Sequence, residues 1–287
     1  MKHIFILKPD TDQKLIQSIM TLMQGRDYQF RYTRDIEDAA RIAESYRQLT
    51  DHYRLYAVGG DGFVHKVVAG MIDSPHELVI IPAGTGNDLA RSLYPNMDPK
   101  KILERSLTKQ SRLVDVIRCN DNIYCMNVFC CGLDAEVGNM VNLKRDTMQW
   151  IPKSFHYSYM ILKKLCHLQF YPTVIEIKDR PLFSGDVVIC AFCNGRFFGG
   201  GVFIGYQSKL DDGLIDINVV SGISKTHLLS YLKALLISKL DHKDHYVHWQ
   251  ESAVTVKTSK YVNIDGEVYE PGIYHLQCLH QVLKLVY

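Results

Sequence analysis

Three glycines surround one aspartate in the run Gly59-Gly60-Asp61-Gly62, which stands between an apolar segment and a segment with helical spacing. Glycine lets the backbone approach a ligand closely, and the start of a helix presents unpaired N–H groups with a positive dipole end. That combination suits a polyphosphate. Asp61 would repel a phosphate, so its presence favours a bound cation or the abstraction of a proton from an attacking hydroxyl. A glycine-rich turn in which Asp61 caps the helix remains open at this point.

A second run of the same kind, Pro82-Ala83-Gly84-Thr85-Gly86-Asn87-Asp88, follows the apolar residues 78–81. Ligands of open α/β folds bind where the carboxyl ends of parallel strands meet, so the two runs would face one another there. Thr85 offers a hydroxyl to a phosphate or ribose, and Asn87 is a predicted nucleotide contact that can both donate and accept hydrogen bonds. Asp88 could cap the next helix. Together the two runs predict a phosphate-binding site at the carboxyl ends of the parallel strands.

Two regions with different hydrophobic patterns must form the elements that position these residues. The first ~115 residues alternate apolar runs with amphipathic stretches, which is typical of βαβ units and a parallel sheet. The pattern predicts strands at residues 3–7, 28–32, 54–58 and 78–81, with helices at 11–23, 36–49 and 64–72. Turn signals then separate strand-like runs at residues 123–130, 173–177, 186–192, 215–220, 253–258, 261–264 and 274–279, with helices at 155–167 and 225–239.

These patterns predict an N-terminal open parallel α/β domain followed by a C-terminal domain that is mainly β and sandwich-like. The α/β domain is expected at residues 1–118, and the last residues, about 280–287, could return to it. The β domain then covers residues 119–279. No Pro/Ser-rich linker separates the two halves, so we expect them to pack tightly.

The charge balance argues against nucleic acid as a partner, because 33 Lys and Arg residues face 31 Asp and Glu residues, for a net charge of +2. An anionic ligand must therefore be bound locally. No apolar run reaches the ~18 residues that a membrane-spanning helix needs, so we expect a cytoplasmic protein.

The order of these motifs resembles that of the diacylglycerol kinase catalytic family, which includes bacterial lipid kinases and sphingosine kinases. The resemblance extends along almost the whole chain, and several motifs in the right order are more specific than any one of them. Beyond the two glycine runs, the matching positions are Tyr32-Thr33, Val114-Asp115, Asn127, Gly132, Asn194, Lys209-Leu210-Asp211-Asp212-Gly213-Leu214 and Asp265-Gly266-Glu267.

The resemblance implies a kinase that uses ATP and Mg²⁺ to phosphorylate a hydroxyl of diacylglycerol or a related membrane lipid. It assigns catalysis to Glu267, which would take the hydroxyl proton, with Asp61 and Asp115 as acidic partners that hold metal and water. The β domain would then bind the lipid. ATP contacts are implied for Thr33, Gly59, Gly60, Asp61, Gly62, Phe63, Val64, His65 and Thr85.

The resemblance also implies a separate structural Mg²⁺ site, formed by the Asp212 carboxylate with main-chain oxygens of Lys209 and Leu214. An ordinary β-turn at Asp212-Gly213 is the alternative. The chain departs from the family at Phe63, where Thr is usual, at Lys66, where an acidic residue is usual, and at Lys8-Pro9, where Asn-Pro is usual. Lys8 or Lys66 could instead contact phosphates.

The expected partner is a lipid substrate at the inner face of a membrane, with peripheral contact between protein and bilayer. Residues 144–164 mix basic and aromatic side chains, which could dock on a membrane or form a solvated helix. A homodimer is left open. Two other functions compete with the lipid kinase. One is an NAD kinase-like enzyme, which shares the Gly-Gly-Asp-Gly loop, and the other is a catalytically silent lipid-binding regulatory protein.

Overall fold

The computed structural model describes residues 1–95, 97–132, 170–223, 230, 231, 233, 234, 237 and 239–287. The predicted helix at residues 155–167 lies outside these ranges, as do the basic and aromatic residues 144–164 and most of the predicted helix at 225–239.

The N-terminal region alternates strands and helices, as the sequence predicted. Its parallel strands pair in the order β2-β1-β3-β4 and are β1 (Lys2–Leu7), β2 (Tyr28–Tyr32), β3 (Tyr53–Gly59) and β4 (Glu77–Pro82). Its helices are α1 (Gln13–Leu22), α2 (Asp38–Tyr46), α3 (Asp61–Met71), α4 (Asp88–Leu93) and α5 (Pro99–Ser106). Helix α3 starts three residues before the predicted residue 64, because Asp61 and Gly62 already belong to its first turn.

The rest of the described chain is mainly β, in a sandwich-like domain. Its strands are β5 (Arg112–Cys119), β6 (Ile123–Cys125), β7 (Val128–Gly132), β8 (Tyr171–Ile177), β9 (Arg180–Cys193), β10 (Phe197–Phe198), β11 (Val202–Phe203), β12 (Ile215–Ser221), β13 (Tyr246–Glu251), β14 (Ala253–Thr258), β15 (Val262–Ile264), β16 (Glu267–Tyr269) and β17 (Gly272–Leu285). The prediction of a single strand at 123–130 is wrong. The strand is interrupted at Met126 and Asn127, whose N–H groups bind the Asp265 carboxylate instead of a neighbouring strand.

The last strand, β17, belongs to both regions. It pairs antiparallel with β14 and β5, and its end then pairs parallel with β4 through Lys284 and Leu285. Leu276 packs in the core of the β region, whereas Leu283 packs in the core of the α/β region. A register shift between Leu279 and Leu283 marks the crossing. One sheet therefore runs through both regions, and the boundary at residue 118 stays a prediction.

Buried side chains, most of them apolar, fill both faces of three of the parallel strands, β1, β3 and β4. Residues Ile4, Phe5, Ile6 and Leu7 of β1 are all buried, which is typical of a parallel strand covered by helices on both sides. Among the described residues, no helix is long and apolar enough to cross a membrane.

Candidate active site

The two glycine-rich strand ends meet in direct backbone contact. Strands β3 and β4 are neighbours, and the Ala83 N–H donates to the Gly59 carbonyl at 3.0 Å. A Cβ atom on Gly60 would lie 3.1 Å from the Cα of Gly84, and a Cβ on Gly84 would overlap the Gly60 backbone. Glycine at both positions is therefore what lets the two loops approach, and the predicted facing of the two runs is confirmed.

Helix α3 begins directly at this contact. Gly60 is its N-cap, and the Gly60 carbonyl accepts the N–H groups of Phe63 and Val64, each at 3.0 Å. The earlier N–H groups, at Gly60, Asp61 and Gly62, have no partner inside the helix, because the first turn of any α-helix lacks acceptors for them. An anion at this end of α3 would meet these donors and the positive end of the helix dipole.

Two predicted catalytic carboxylates lie at this first turn, Asp61 within it and Glu267 against it. A Cβ on Gly62 would lie 2.7 Å from Glu267 Oε1, so the Glu267 carboxylate rests against the helix where a side chain is missing. A Cβ on Gly86 would lie 2.8 Å from Asp61 Oδ2, which places the Asp61 carboxylate against the second loop. The fold thus brings Asp61 and Glu267 to one place from positions 206 residues apart in the chain.

Burial raises the pKa of Asp61 to about 7, and the nearby charge of Asp88 adds to this shift. The Leu89 N–H, which donates to Asp61 Oδ1 at 3.3 Å, acts in the opposite direction. Burial also raises the pKa of Asp88, whose Oδ2 accepts the Gly200 N–H at 2.7 Å. Because the Asp88 charge disfavours ionisation of Asp61, a cation beside both carboxylates would be stabilising.

The Asp61 and Asp88 pair fits Mg²⁺, a hard cation that binds one or two protein carboxylates together with phosphate oxygens and water. Asp88 Oδ1 is buried and makes no hydrogen bond within the described part of the chain, although Arg91 Nε lies 3.7 Å away. The same described residues hold no group of three or more His, Cys, Asp or Glu side chains arranged to bind a metal. The remaining Mg²⁺ ligands would therefore come from the nucleotide and from water.

The sequence did not identify Asp88 as a site residue but as a helix cap, and that interpretation is wrong. The N-cap of α4 is Asn87, with a positive φ of 53°, and Asp88 is the first helical residue. The Asn87 side chain accepts from the Gly84 N–H at 2.9 Å and donates to the Gly84 carbonyl at 2.7 Å. Asn87 thus fixes the shape of the second loop, and its contact with a nucleotide stays a prediction.

The other predicted nucleotide contacts differ in their exposure. Lys8 and Thr85 are exposed at the ends of β1 and β4, where a ligand could reach their side chains. Thr33 is buried directly after β2, and its N–H donates to the Leu7 carbonyl at 3.0 Å. Phe63, Val64 and His65 are also buried, so a nucleotide could contact these three residues only through backbone atoms.

Two of the departures from the family have local explanations. The Phe63 side chain packs into the core beneath β3, where a Cβ on Gly59 would lie 2.6 Å from Phe63 Cδ1. It therefore points away from the side of the loop that is predicted to bind phosphate. Lys66 Nζ lies 2.7 Å from Glu37 Oε1, so the charge of Lys66 is paired with a carboxylate of this chain.

Asp115, the third predicted catalytic carboxylate, is fully buried in β5 and contacts a different set of residues. Its Oδ1 accepts from His280 Nδ1 at 2.8 Å and from the Gln281 N–H at 2.7 Å. Its Oδ2 accepts from the Gly213 N–H at 2.6 Å. Asp115 thus joins β17 to the loop 209–214, and its hydrogen bonds within the described chain do not reach Asp61 or Glu267.

The loop 209–214 contains a local turn, and it carries a surplus of negative charge. Asp212 Oδ1 accepts the Leu214 N–H at 3.1 Å, which is the hydrogen bond of a local turn. Partial burial raises the pKa of Asp212, and the charges of Asp216 and Asp115 add to the shift, while Lys209 opposes it. That surplus of negative charge fits a cation, and the Mg²⁺ site at Lys209, Asp212 and Leu214 stays a prediction.

Comparison with known proteins matches two parts of the chain to two family models. Residues 8–119 match the family described as the diacylglycerol kinase catalytic domain. Residues 127–287 match the YegS C-terminal NAD kinase beta sandwich-like domain. The two matches together cover most of the chain and include Asp61, Asp88, Asp115, Asp212 and Glu267.

Individual relatives agree with the family matches. A probable lipid kinase YegS-like protein of Shewanella frigidimarina is 26% identical over 300 residues, which span 100% of this chain and 94% of that protein. A diacylglycerol kinase of Mycobacterium tuberculosis is 28% identical over 75% of this chain and 68% of its own length. The crystal structure of a diacylglycerol kinase from Bacillus anthracis has the same fold, with a TM-score of 0.73, 19% identity and coverage of 100% and 96% of the two chains. The chain therefore belongs to the lipid kinase family that joins a diacylglycerol kinase catalytic domain to a YegS-type β-sandwich-like domain.

Proposed function

We propose that this protein transfers the γ-phosphoryl group of ATP to a hydroxyl of diacylglycerol or a related membrane lipid, with Mg²⁺ as the metal. The observation that carries the proposal is the contact of the Glu267 carboxylate with the first turn of α3, beside Asp61. A general base and a phosphate-binding helix end are the two parts that hydroxyl phosphorylation needs, and here they are adjacent.

In this proposal each part of the site has a defined task. The N–H groups of Gly60, Asp61 and Gly62 bind the polyphosphate at the start of α3. Glu267 accepts the proton of the lipid hydroxyl, whose oxygen forms the new bond to the γ-phosphorus as the bond to ADP breaks. Asp61 and Asp88 would hold Mg²⁺, which neutralises phosphate charge when bound.

The acceptor lies in a bilayer, so the proposal includes peripheral contact with a membrane surface. Incubation with labelled ATP, Mg²⁺ and extracted membrane lipids tests the function directly. A labelled phospholipid is the expected product. A labelled dinucleotide would instead support the NAD kinase-like enzyme, and absence of both product and ATP binding would support the silent lipid-binding protein.

The role of Glu267 is tested by Glu267→Gln, which removes the base and keeps the shape of the side chain. We expect kcat to fall by about 10²- to 10⁴-fold, the usual contribution of a general base, with ATP affinity nearly unchanged. The matched control is Glu270→Gln, because the Glu270 side chain is exposed three residues further on. Retained turnover in Glu267→Gln would remove Glu267 from the catalytic role.

A further inference from the structure

Asp265, two residues before Glu267, is held by an unusual number of donors. It is 7% exposed and has a positive φ of 51° in the turn between β15 and β16. Its carboxylate accepts three consecutive N–H groups, from Met126 at 2.7 Å, Asn127 at 2.9 Å and Val128 at 3.0 Å. The turn that carries Glu267 is thereby fixed to the segment between β6 and β7.

The same carboxylate also contacts the helix that carries Asp61. His65 Nδ1 lies 3.4 Å from Asp265 Oδ2, and the His65 side chain is 4% exposed. A carboxylate accepts hydrogen bonds, so the proton of this contact is on Nδ1. His65 follows Asp61 by four residues, and side chains at that spacing lie on the same face of a helix.

The Glu267 turn therefore touches α3 at two points one helical turn apart. The Glu267 carboxylate meets the helix at Gly62, and Asp265 meets it at His65, three residues further along the same face. A single contact would let the turn rotate about it. Two contacts fix both the separation and the orientation of the turn relative to the phosphate-binding end of α3.

We propose that His65 and Asp265 are positioning residues, which hold the Glu267 carboxylate at the first turn of α3 by linking the helix of one domain to the turn of the other. The proposal rests on the proposed phosphoryl transfer for its effect on turnover. Its structural part, the restraint of the 265–267 turn by His65, stands without that activity. His65 thus acts through Glu267 and does not touch the nucleotide with its side chain.

The test compares His65→Leu, which removes the donor, with His65→Asn, whose amide nitrogen can occupy the place of Nδ1. Loss of positioning by a fraction of an ångström to 1 Å lowers turnover on the order of 10- to 100-fold. We expect that loss of kcat in His65→Leu, with KM for ATP within about two-fold of the wild type, and recovery of most of the loss in His65→Asn. Amide hydrogen exchange in residues 262–271 should be faster in His65→Leu and return toward the wild-type rate in His65→Asn.

His76→Leu is the matched control, because His76 is also a buried histidine of the α/β region, 2% exposed, with Nε2 bonded to the Tyr46 carbonyl at 2.8 Å. It should lower the melting temperature and leave both kcat and exchange at residues 262–271 unchanged. The proposal is overturned if His65→Leu keeps full kcat, or if it and His65→Asn lose activity equally. If the wild type phosphorylates no lipid, the proposed function fails, whereas unchanged exchange at residues 262–271 in His65→Leu overturns the positioning proposal itself.

Discussion

Gly62 offers the sharpest test of how close Glu267 lies to α3. Replacing Gly62 by Ala adds a methyl group 2.7 Å from Glu267 Oε1, whereas an ordinary carbon–oxygen contact begins near 3.4 Å. The Glu267 carboxylate, at the free end of a flexible side chain, must therefore move by about 0.7 Å. A displacement near 1 Å costs on the order of 10²-fold in rate, so we expect kcat to fall by about 10- to 100-fold.

Stability should change in the opposite direction. Gly62 is the second residue of α3, and Ala stabilises a helix over Gly by about 0.5–1 kcal/mol. We therefore expect a variant with an unchanged or higher melting temperature and a low kcat. This combination separates a displaced base from a damaged fold, because damage would lower both.

The assay measures kcat with labelled ATP and lipid, together with thermal denaturation of the same preparation. Gly185→Ala is the matched control, because a Cβ there meets Phe183 at an ordinary 3.5 Å in the β region. Full kcat in Gly62→Ala would refute the placement of Glu267 against the helix. A parallel loss of melting temperature and activity would refute the reasoning that only the carboxylate moves.

The remaining predictions concern Asp61 and Asp115, the other two carboxylates that the sequence assigned to catalysis. Burial and the Asp88 charge raise the pKa of Asp61 from 3.8 to about 7. Between about pH 4 and pH 7 the folded protein therefore keeps a proton that the unfolded chain has lost. The free energy of unfolding falls as the pH rises through that window. In Mg²⁺-free buffer, Asp61→Asn should remove this dependence of stability on pH, and it should raise the melting temperature at pH 8 but not at pH 4. An equal change of melting temperature at both pH values would contradict the raised pKa of Asp61. Asp115→Asn should lower the free energy of unfolding in urea by about 1–3 kcal/mol, because it disturbs three hydrogen bonds to a fully buried carboxylate. Replacement of the exposed Asp121 by Asn should leave the free energy of unfolding unchanged. If Asp115→Asn abolishes turnover without loss of stability, Asp115 is catalytic after all.

Local sequence signals predicted most of the α/β region, because strands β1, β3 and β4 are apolar runs that end at or near a glycine or proline. Helices α1 and α2 also have clear helical periodicity. The four parallel strands, at Lys2–Leu7, Tyr28–Tyr32, Tyr53–Gly59 and Glu77–Pro82, lie within one residue of their predicted ends. The contact of the two glycine-rich loops followed from the rule that neighbouring parallel strands end at the same edge.

Features that depend on long-range contacts could not be predicted in this way. The break at Met126 and Asn127 exists because Asp265, about 138 residues later, takes their N–H groups. The pairing of Lys66 with Glu37 and the burial of Phe63 likewise depend on how α2 and β3 pack against α3. For Asp88, the sequence did contain a pattern that could have marked it as a candidate site residue. An acidic residue at the start of a helix, next to a glycine run, can face a bound cation as well as cap the helix.

The route of β17 has a consequence for synthesis of the protein on the ribosome. Val286 donates its N–H to the Leu78 carbonyl at 2.9 Å, and its own carbonyl accepts the Tyr94 hydroxyl at 2.8 Å. Residues near 286 thus close one edge of the α/β region, although they are translated long after it. Until they emerge, the nascent α/β region has an unpaired β4 edge and lacks the Leu283 and Leu285 side chains of its core. The α/β region therefore reaches its final packing only after residue 286 has been translated, and a ribosome stalled before residue 283 would carry an incomplete α/β region.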